Sequence, residues 1–344
     1  MEKKVNLRDL QLQEMETLVK SMGQPAFRAK QIFQWIYKGA VSFDEMSNLP
    51  KALRETLAER SCIGRLKILQ VQRSKTDGTR KYLFGLEDGS TIESVFMKYK
   101  YGNSICVSSQ AGCRMGCRFC ASTRNGLERN LTPGEILSQL MEAQADTGEK
   151  IGHVVVMGTG EPFDNYENLS AFLRIVGDKN GLNLSMRSIT VSTCGLVPVI
   201  ERFAEEFPQV NLAISLHGTT DDIRGAMMPV NKRYPLQVLI PACRDYTRKT
   251  SRRITFEYTM VNGVNDSDAD ADRLAKLLRG MLCHVNLIPL NKVEESGFDT
   301  VSRARAGEFC RILEQRGIPA TVRRELGADI DAACGQLRLS RGRQ

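Results

Sequence analysis

The sequence contains no apolar run that approaches the roughly 18 residues needed by a membrane-spanning helix. It also starts without the apolar stretch of a secretory signal, so we expect a cytoplasmic protein. No low-complexity linker interrupts its 344 residues, of which 42% are hydrophobic and 26% charged, as is ordinary for a folded protein. These absences exclude a membrane-spanning or disordered chain and leave a folded protein about two average domains in length.

Charge is unevenly distributed along the chain, whose formal net charge is +8. The first hundred residues contain 18 Lys and Arg against 12 Asp and Glu. Arg338, Arg341 and Arg343 then close the chain without an acid among them. A basic surplus at both ends suits a polyanionic partner such as RNA, although a basic surface that binds nothing has the same composition.

The first hundred residues change from helical to β-type periodicity. Apolar spacing predicts helices over 7–21, from Pro25 to Gly39 and from Pro50 onwards. Segments rich in Val, Ile, Phe and Tyr follow at 66–73, 79–86 and 91–99, with a hairpin signal at 87–90. We therefore predict a helical accessory module over 1–65, which we expect to bind RNA, and a β-hairpin or small sheet over 66–100.

From about residue 104 the chain alternates between strand and helix patterns. The predicted strands are 104–109, 152–157, 187–193, 210–216, 253–260, 283–288 and 319–324, and the predicted helices are 133–146, 165–176, 197–206, 235–249, 267–280 and 302–316. This order favours parallel βαβ units, and six repeats without a GxGxxG motif favour a full or partial barrel over a dinucleotide-binding sheet. We predict an α/β barrel core over 101–337 and a basic tail over 338–344.

Three of the ten cysteines lie close together in a Gly-containing loop after the first barrel strand, at Cys113, Cys117 and Cys120. Thiolates at this spacing predict a 4Fe-4S cluster in which one iron has no protein ligand and is open to a substrate. A zinc site is the alternative, but zinc normally takes a fourth Cys or His, and the three histidines are distant in sequence. The spacing CxxxCxxC resembles the radical S-adenosylmethionine (SAM) superfamily, whose members share a partial barrel. That resemblance implies that SAM binds the open iron and is cleaved to a 5′-deoxyadenosyl radical.

Polar residues follow successive strands. Gly158-Thr-Gly-Glu-Pro162 comes directly after strand 152–157, and its glycines allow the backbone to approach a ligand closely. Other polar side chains stand at later strand ends, where barrel active sites form: Ser192, Thr193, Ser215, His217 and Asn291. Each has an ordinary reading as a turn, cap or buried structural residue, so only their combination predicts a ligand pocket.

Two further cysteines are candidate reactive thiols. Cys334 lies among small residues after the last strand, and Cys106 lies on the strand that leads into the cysteine loop. A cluster with two such thiols predicts chemistry that forms and breaks a thioether or a disulfide. The other cysteines are read as buried or incidental thiols: Cys62, Cys194, Cys243, Cys283 and Cys310.

The motifs CVSSQAGC (106–113), GTGEP (158–162) and DIDAACGQL (329–337), together with the cysteine loop, resemble the RlmN/Cfr family of radical SAM RNA methyltransferases. The resemblance extends over nearly the whole chain. It implies a partial (β/α)6 radical SAM barrel with a small N-terminal helical accessory domain and a β-hairpin. It also implies methylation of C2 of an adenosine in the peptidyl-transferase region of 23S rRNA and of an adenosine beside the anticodon of tRNA.

The same resemblance implies a role for each matching residue. Cys334 is methylated by a first SAM, and a second SAM in each turnover activates that methyl group as a radical. Cys106 resolves the protein–RNA adduct through a transient disulfide with Cys334, and Glu93 accepts the C2 proton. The SAM contacts that it implies are Gly160, Glu161, Ser192, Ser215, Leu216, His217 and Asn291.

Two alternatives stay open on the sequence. The resistance branch of the family methylates C8 of the same rRNA base, and base placement within about an ångström decides between the two carbons. A non-catalytic Fe–S RNA-binding protein is the other alternative, although Cys106 and Cys334 would then have no chemical role. The partners we expect are 23S rRNA, tRNA and an external electron donor of the flavodoxin or ferredoxin type, with the chain acting as a monomer away from membranes.

Overall fold

The computed structural model describes residues 4–291, 297–332 and 335–337. Its N-terminal part is helical, with strands β1 (Val5–Asn6) and β2 (Ser61–Cys62) and helices α1 (Leu12–Ser21), α2 (Phe27–Tyr37) and α3 (Lys51–Arg60). The predicted helix over 7–21 is divided into a 3-10 turn at Leu7–Asp9 and α1. The division is at Gln11, which caps α1 and forms a capping box with Glu14.

The rest of the chain forms a long mixed sheet covered by helices. The strands of this sheet are β3 (Lys67–Arg73), β4 (Arg80–Gly85), β5 (Thr91–Tyr99), β6 (Gly102–Val107), β9 (Ile151–Val156), β10 (Ile189–Thr193), β11 (Asn211–Ser215), β12 (Ile254–Met260), β13 (Cys283–Pro289) and β14 (Ala320–Val322), while β7 (Gln110–Gly112) and β8 (Leu127–Asn130) form a separate two-stranded sheet. Its helices are α4 (Pro133–Thr147), α5 (Tyr166–Gly177), α6 (Val197–Glu206), α7 (Asp221–Met227), α8 (Leu236–Thr250), α9 (Asp268–Leu278) and α10 (Arg303–Gln315).

The main sheet has the order β14-β13-β12-β11-β10-β9-β6-β5-β4-β3. Strands β6 and β9 to β14 are parallel, and a helix connects each to the next. Six βα units therefore run from β6 to α10, which confirms the predicted partial (β/α)6 barrel. The carboxyl ends of all these strands meet at one rim, where barrel active sites form.

Strands β3, β4 and β5 continue the barrel sheet as an antiparallel extension. They join the parallel part through pairing between β5 and β6, in which Val95 is opposite Cys106. Residues 66–100 therefore share one sheet with the barrel, and side chains from β5 lie beside those of the first barrel strand.

Helix α4 is the platform on which the N-terminal helices dock. It begins with the predicted capping box, in which Thr132 accepts from the Glu135 amide and the Glu135 carboxylate accepts from the Thr132 amide. Buried Glu142 on α4 binds Arg8 at 3.0 Å and also pairs with Arg65. This buried network joins the N-terminal module to the barrel, and removal of one partner would leave a buried charge unpaired. Among the helices of the described residues, none combines the length and apolar character that crossing a bilayer requires.

Candidate active site

A cavity of about 960 Å³, its open mouth included, lies at the carboxyl rim of the barrel. Its wall contains most of the predicted site residues: Cys113, Cys117, Cys120, Gly160, Glu161, Ser192, Ser215, His217 and Asn291. Leu216 differs, because its side chain is fully buried in the hydrophobic core and its amide donates to the Glu257 carbonyl at 3.0 Å. The strand-end residues thus meet the cysteine loop in one place.

The short β7–β8 hairpin positions the cysteine loop. Gly112 ends β7 with φ of 76°, and a Cβ there would lie 2.0 Å from the Gly126 carbonyl oxygen. That same oxygen accepts from the Cys113 amide at 2.9 Å. The loop is tied further by bonds from the Arg118 amide to the Met227 carbonyl at 3.0 Å and from the Ala121 amide to the Gly335 carbonyl at 2.8 Å.

The thiols of the loop are electrostatically suited to a bound cation. Burial raises the pKa of Cys113 to about 12, and burial raises the pKa of Cys117 well above its ordinary value. The neighbouring thiols and Glu161 raise both pKa values further. Three thiolates on one wall therefore need compensating positive charge, which iron would supply.

The distances between these thiols help to distinguish an iron–sulfur cluster from a single zinc ion. Within residues 4–291, 297–332 and 335–337, no group of three or more His, Cys, Asp and Glu is close enough to hold a metal ion. Each thiolate of a cluster binds a different iron, so the ligands of a cluster lie further apart than those of a single ion, and three thiolates leave one iron of a 4Fe-4S cluster open. The three cysteines on one cavity wall supply this number of ligands, whereas zinc would normally take a fourth.

Glu161 links the ends of two strands. Its carboxylate accepts from the Phe163 amide at 2.9 Å and from the Cys194 amide at 2.7 Å. Burial raises the pKa of Glu161, and these hydrogen bonds oppose the rise. Gly160 next to it has φ of 110°, and a Cβ there would lie 2.7 Å from the Gln110 Cβ. The loop after β9 therefore approaches β7 so closely that only glycine fits.

His217 is held as a neutral ring in the cavity wall. Its backbone is left-handed, with φ of 55°, and its Nδ1 accepts from the Thr259 amide at 2.9 Å. Burial, and then the charge of Arg224, lowers the pKa of His217 to about 3. Since Nδ1 is the acceptor, the ring hydrogen is on Nε2, which makes Nε2 a donor.

Glu93 and Cys106 lie on a sheet face beside the cavity rather than among the residues of its wall. Cys106 packs with Val95, Ala332 and Leu337 in one apolar cluster. On the same face, Glu93 is 3.6 Å from the Lys81 ammonium. Lys81 in turn donates to the Asp331 carbonyl at 3.1 Å. Both predicted residues therefore lie next to the C-terminal motif.

Cys334 itself lies outside the described residues. Its described neighbours lie near Cys106 on one side and at the cavity on the other. Ala332 packs against Cys106, while Gly335 is part of the cavity wall. Leu337 accepts from the Ser122 hydroxyl at 2.8 Å, which fastens the motif to the cysteine loop.

Several residues of the cavity wall were not predicted as site residues from the sequence. They include Cys194, Glu257, Thr259 and Arg323. Cys194 was expected to be a buried thiol, and it is buried, but it also faces the cavity. Glu257 was detectable as an acid within the apolar strand ITFEYTM, a position where a buried charge signals a function or a partner. Burial raises the pKa of Glu257, whose carboxylate accepts from Asn286 at 2.8 Å.

A second cavity of about 1290 Å³ adjoins the first. Both contain Ile288, Leu290, Asn291 and Arg323 in their walls. The second cavity adds a basic and aromatic character through residues absent from the first wall: Tyr99, Arg303 and Arg324.

Comparison with known proteins agrees with this geometry. Residues 5–63 match the profile of the ribosomal RNA large subunit methyltransferase N-terminal domain, and residues 107–275 match the radical SAM superfamily. The chain is 52% identical over 336 residues, 98% of each chain, to a probable dual-specificity RNA methyltransferase RlmN of Clostridioides difficile. It is 53% identical to the corresponding protein of Alkaliphilus oremlandii, covering 97% of this chain and 98% of that one.

A solved structure supports the same assignment. The crystal structure of a radical SAM methyltransferase from Sphaerobacter thermophilus is 49% identical and matches with a TM-score of 0.93, over 97% of this chain and 99% of that one. Identity at this level across the full length, together with both profiles, settles the family. The chain belongs to the RlmN family of radical SAM methyltransferases.

Proposed function

We propose that this protein methylates C2 of adenosine in the peptidyl-transferase region of 23S rRNA and beside the anticodon of tRNA. One observation carries the proposal: a single cavity wall contains the three cysteines of the CxxxCxxC loop and six of the seven predicted SAM contacts. The full-length similarity to dual-specificity RNA methyltransferases supports RNA as the substrate. We expect a monomer that acts in the cytoplasm with an electron donor of the flavodoxin or ferredoxin type.

The cavity has a place for each cofactor. Cys113, Cys117 and Cys120 would hold the 4Fe-4S cluster, and the strand-end residues from Gly160 to Asn291 would hold SAM. When bound, cluster and SAM supply the one-electron chemistry that adenine C2 requires, because this electron-poor carbon does not attack an electrophilic methyl group. The protein orients SAM through the close backbone approach at Gly160 and the Nε2 donor of His217.

The two remaining thiols act on the methyl group and the product. Cys334 carries the methyl group as a thioether before transfer, and the position of Gly335 in the cavity wall supports this role. Cys106 then attacks the Cys334 sulfur as a thiolate, so that an S–S bond forms as the S–C bond to the RNA breaks. The electron pair of that S–C bond passes to the adenine and its attached carbon, which takes up a proton and becomes the new methyl group. Cys106 and Ala332 belong to the same apolar cluster, which supports the pairing, since disulfide formation requires close approach.

Glu93 is the proposed acceptor of the C2 proton. It is buried, paired with Lys81 and positioned on the same sheet face as Val95, which is opposite Cys106. Through Lys81 it is connected to the Asp331 carbonyl at the start of the C-terminal motif. A base in this position lies on the same sheet face as Cys106.

The second cavity is the proposed route for RNA. Within the part of the chain that the structure describes, neither the Arg303 nor the Arg324 guanidinium has a hydrogen-bond or ion-pair partner. Glu325 is the one acid among the described wall residues. Guanidiniums bind phosphate well, and Tyr99, whose ring stacks on that of Tyr101, gives the cavity an aromatic side chain of the kind on which bases stack. The N-terminal module and the basic tail remain further candidates for RNA contact.

The decisive experiment is product analysis. The protein is reconstituted anaerobically with iron and sulfide and given SAM, a reductant and unmodified tRNA or a 23S rRNA fragment. The digested RNA is then compared by mass spectrometry with C2- and C8-methyladenosine standards. We expect C2-methyladenosine, and we expect Cys334→Ala to abolish it.

Two controls sharpen this experiment. Cys106→Ala should leave RNA covalently attached to the protein, visible as a shifted band on a denaturing gel. Cys310→Ala, which changes a partly buried thiol on α10, should leave the product unchanged. A C8 product would assign the chain to the resistance chemistry instead. RNA binding without any methylated product, unaffected by either cysteine change, would support the non-catalytic alternative.

A further inference from the structure

Arg224 is a fully buried cation without an acidic partner. It lies on α7 and is 0% exposed, a position in which an unpaired guanidinium is costly. Its terminal nitrogens donate to neutral oxygens, namely the carbonyls of Cys194 at 2.7 Å and Tyr234 at 3.3 Å and the side chain of Asn231 at 2.8 Å. Its Nε has no hydrogen-bond partner. Among the described residues, no carboxylate is within ion-pair distance of this side chain.

The nearest acid is already committed to other donors. Asp221 accepts from the Asn231 amide group at 3.0 Å and from the Leu236 amide at 2.8 Å. Asn231 therefore stands between the Asp221 carboxylate and the Arg224 guanidinium. The charge of Arg224 is thus available to another anion.

The cysteine loop contacts the end of α7, the helix on which Arg224 lies, through the bond from the Arg118 amide to the Met227 carbonyl. Cys117, Cys194 and Met227 pack in one apolar cluster, and Met227 is one helical turn after Arg224. The Cys194 carbonyl that Arg224 binds belongs to a residue of the cavity wall. Thiolates bound to iron are the anions that this geometry offers.

We propose that Arg224 is a positioning residue that provides the counter-charge for the iron–sulfur cluster and raises its reduction potential. The inference rests on the proposed function, since it takes the cluster on Cys113, Cys117 and Cys120 as given. Reduction adds one electron to the cluster and makes it more negative by one unit. A fixed cation in a low-dielectric interior stabilises the reduced form more than the oxidised form. Guanidinium keeps its proton at every working pH, so this effect is permanent.

The test measures the potential directly. Reconstituted variants are titrated anaerobically with titanium(III) citrate and redox mediators, and the reduced cluster is followed by electron paramagnetic resonance. Arg224→Gln removes the charge, and at the wild-type midpoint we expect the reduced-to-oxidised ratio to fall about tenfold, which corresponds to about 59 mV for a one-electron couple. Arg224→Lys keeps a charge at the site and should recover most of the potential.

Two variants of Asn231 separate charge from packing. Asn231→Ala removes a hydrogen-bond acceptor of Arg224 without changing charge, so it should lower the melting temperature and leave the potential unchanged. Asn231→Asp places a carboxylate at the same position and should lower the potential as Arg224→Gln does. If Arg224→Gln does not fold, Asn231→Asp decides the question.

The outcomes distinguish this inference from the proposed function. A potential that is unmoved in the folded charge variants, while wild type holds a cluster and cleaves SAM, overturns the role of Arg224 alone. A fall in potential in Asn231→Ala equal to that in Arg224→Gln would assign the effect to packing and overturn it as well. A wild-type chain that assembles no iron–sulfur cluster overturns both proposals.

Discussion

Individual buried side chains join the strand ends that form the cavity. Glu161 connects the loop after β9 to the amide that follows β10, and His217 connects the end of β11 to β12. Both are polar side chains that accept backbone hydrogens in places shielded from water, where an unpaired amide costs about 1–3 kcal/mol. At this scale the same residues that would contact SAM also hold the cavity open.

The neutral state of His217 predicts a pH dependence of stability. The unfolded chain binds a proton at this histidine below about pH 6.5, whereas the folded protein does so only near its lowered pKa of about 3. This contribution to stability is therefore fully present above about pH 6.5 and is lost as pH falls towards 3.

His217→Asn removes the titrating group while tolerating the left-handed backbone. From about pH 7 to pH 5, the free energy of unfolding of wild type should fall more steeply than that of the variant, by at most about 1.4 kcal/mol per pH unit. Urea unfolding at several pH values measures both slopes. Parallel slopes for the two proteins would contradict the assignment of a neutral, buried His217.

Residue-level prediction from the sequence was strongest where chemistry and spacing coincide. The cysteine loop, Gly160, Glu161 and His217 were all predicted as site residues, and all of them line one cavity wall. Glu257 and Arg224 were not identified, because their significance comes from burial and from neighbours distant in the chain. Periodicity places a residue on a face of its element, but it does not show which groups from other elements lie opposite.

Among the elements, the β7–β8 hairpin has the strictest steric requirement. Its two left-handed glycines, Gly112 and Gly126, make a matched pair. A Cβ at Gly126 would meet no atom within 4 Å, whereas a Cβ at Gly112 would lie 2.0 Å from the Gly126 carbonyl oxygen. An alanine at Gly126 would therefore show the cost of the left-handed backbone alone, whereas an alanine at Gly112 would add the cost of a steric collision.

We predict that the two alanine variants differ in cluster assembly. Gly126→Ala should cost about 1 kcal/mol, the strain of a left-handed alanine, and should keep its iron. Gly112→Ala has the same left-handed strain and must also displace the Gly126 carbonyl that binds the Cys113 amide. We therefore expect this variant to retain less than about half of the wild-type iron and sulfide. Iron and sulfide assays after identical reconstitution test this, and equal iron contents would show that the hairpin does not position the loop.

The elements of the barrel were predictable because each has its own pattern. Every strand and helix expected after residue 101 is present, with bounds that differ by a few residues. The β7–β8 hairpin and the short helix α7 were missed, since three or four residues of strand and one or two turns of helix give little periodicity. The pairing of β5 with β6 was also beyond the sequence, because strand partners depend on long-range packing.

On the scale of the whole molecule, the two adjoining cavities suggest how an RNA strand and a cofactor share one rim. The first holds the cysteines, and the second offers Arg303 and Arg324 without protein partners among the described residues. The continuous sheet makes removal of residues 1–90 a poor test of RNA binding, because it would delete β3 and β4 from the barrel sheet. Charge substitutions leave the fold intact and are the better measurement.

The double variant Arg303→Gln/Arg324→Gln should weaken tRNA binding and reduce its salt dependence. If each guanidinium contacts one phosphate, the slope of log affinity against log salt should become shallower by about 1–2 units. Fluorescence anisotropy at several salt concentrations measures this slope. Lys276→Gln/Arg279→Gln, which removes two charges at α9, is the matched control, and equal slopes for the two double variants would reject the second cavity as an RNA site.

The hydrogen bond between Ala121 and Gly335 joins a loop near the end of the first third of the chain to its final described segment. The three cysteines leave the ribosome within eight residues of one another, long before the strands that complete the cavity. Iron can therefore meet the loop while half of the protein is still being made. The residues that close the cavity arrive last, so a chain released early would have the proposed cluster-binding loop exposed to oxygen and no cavity around it.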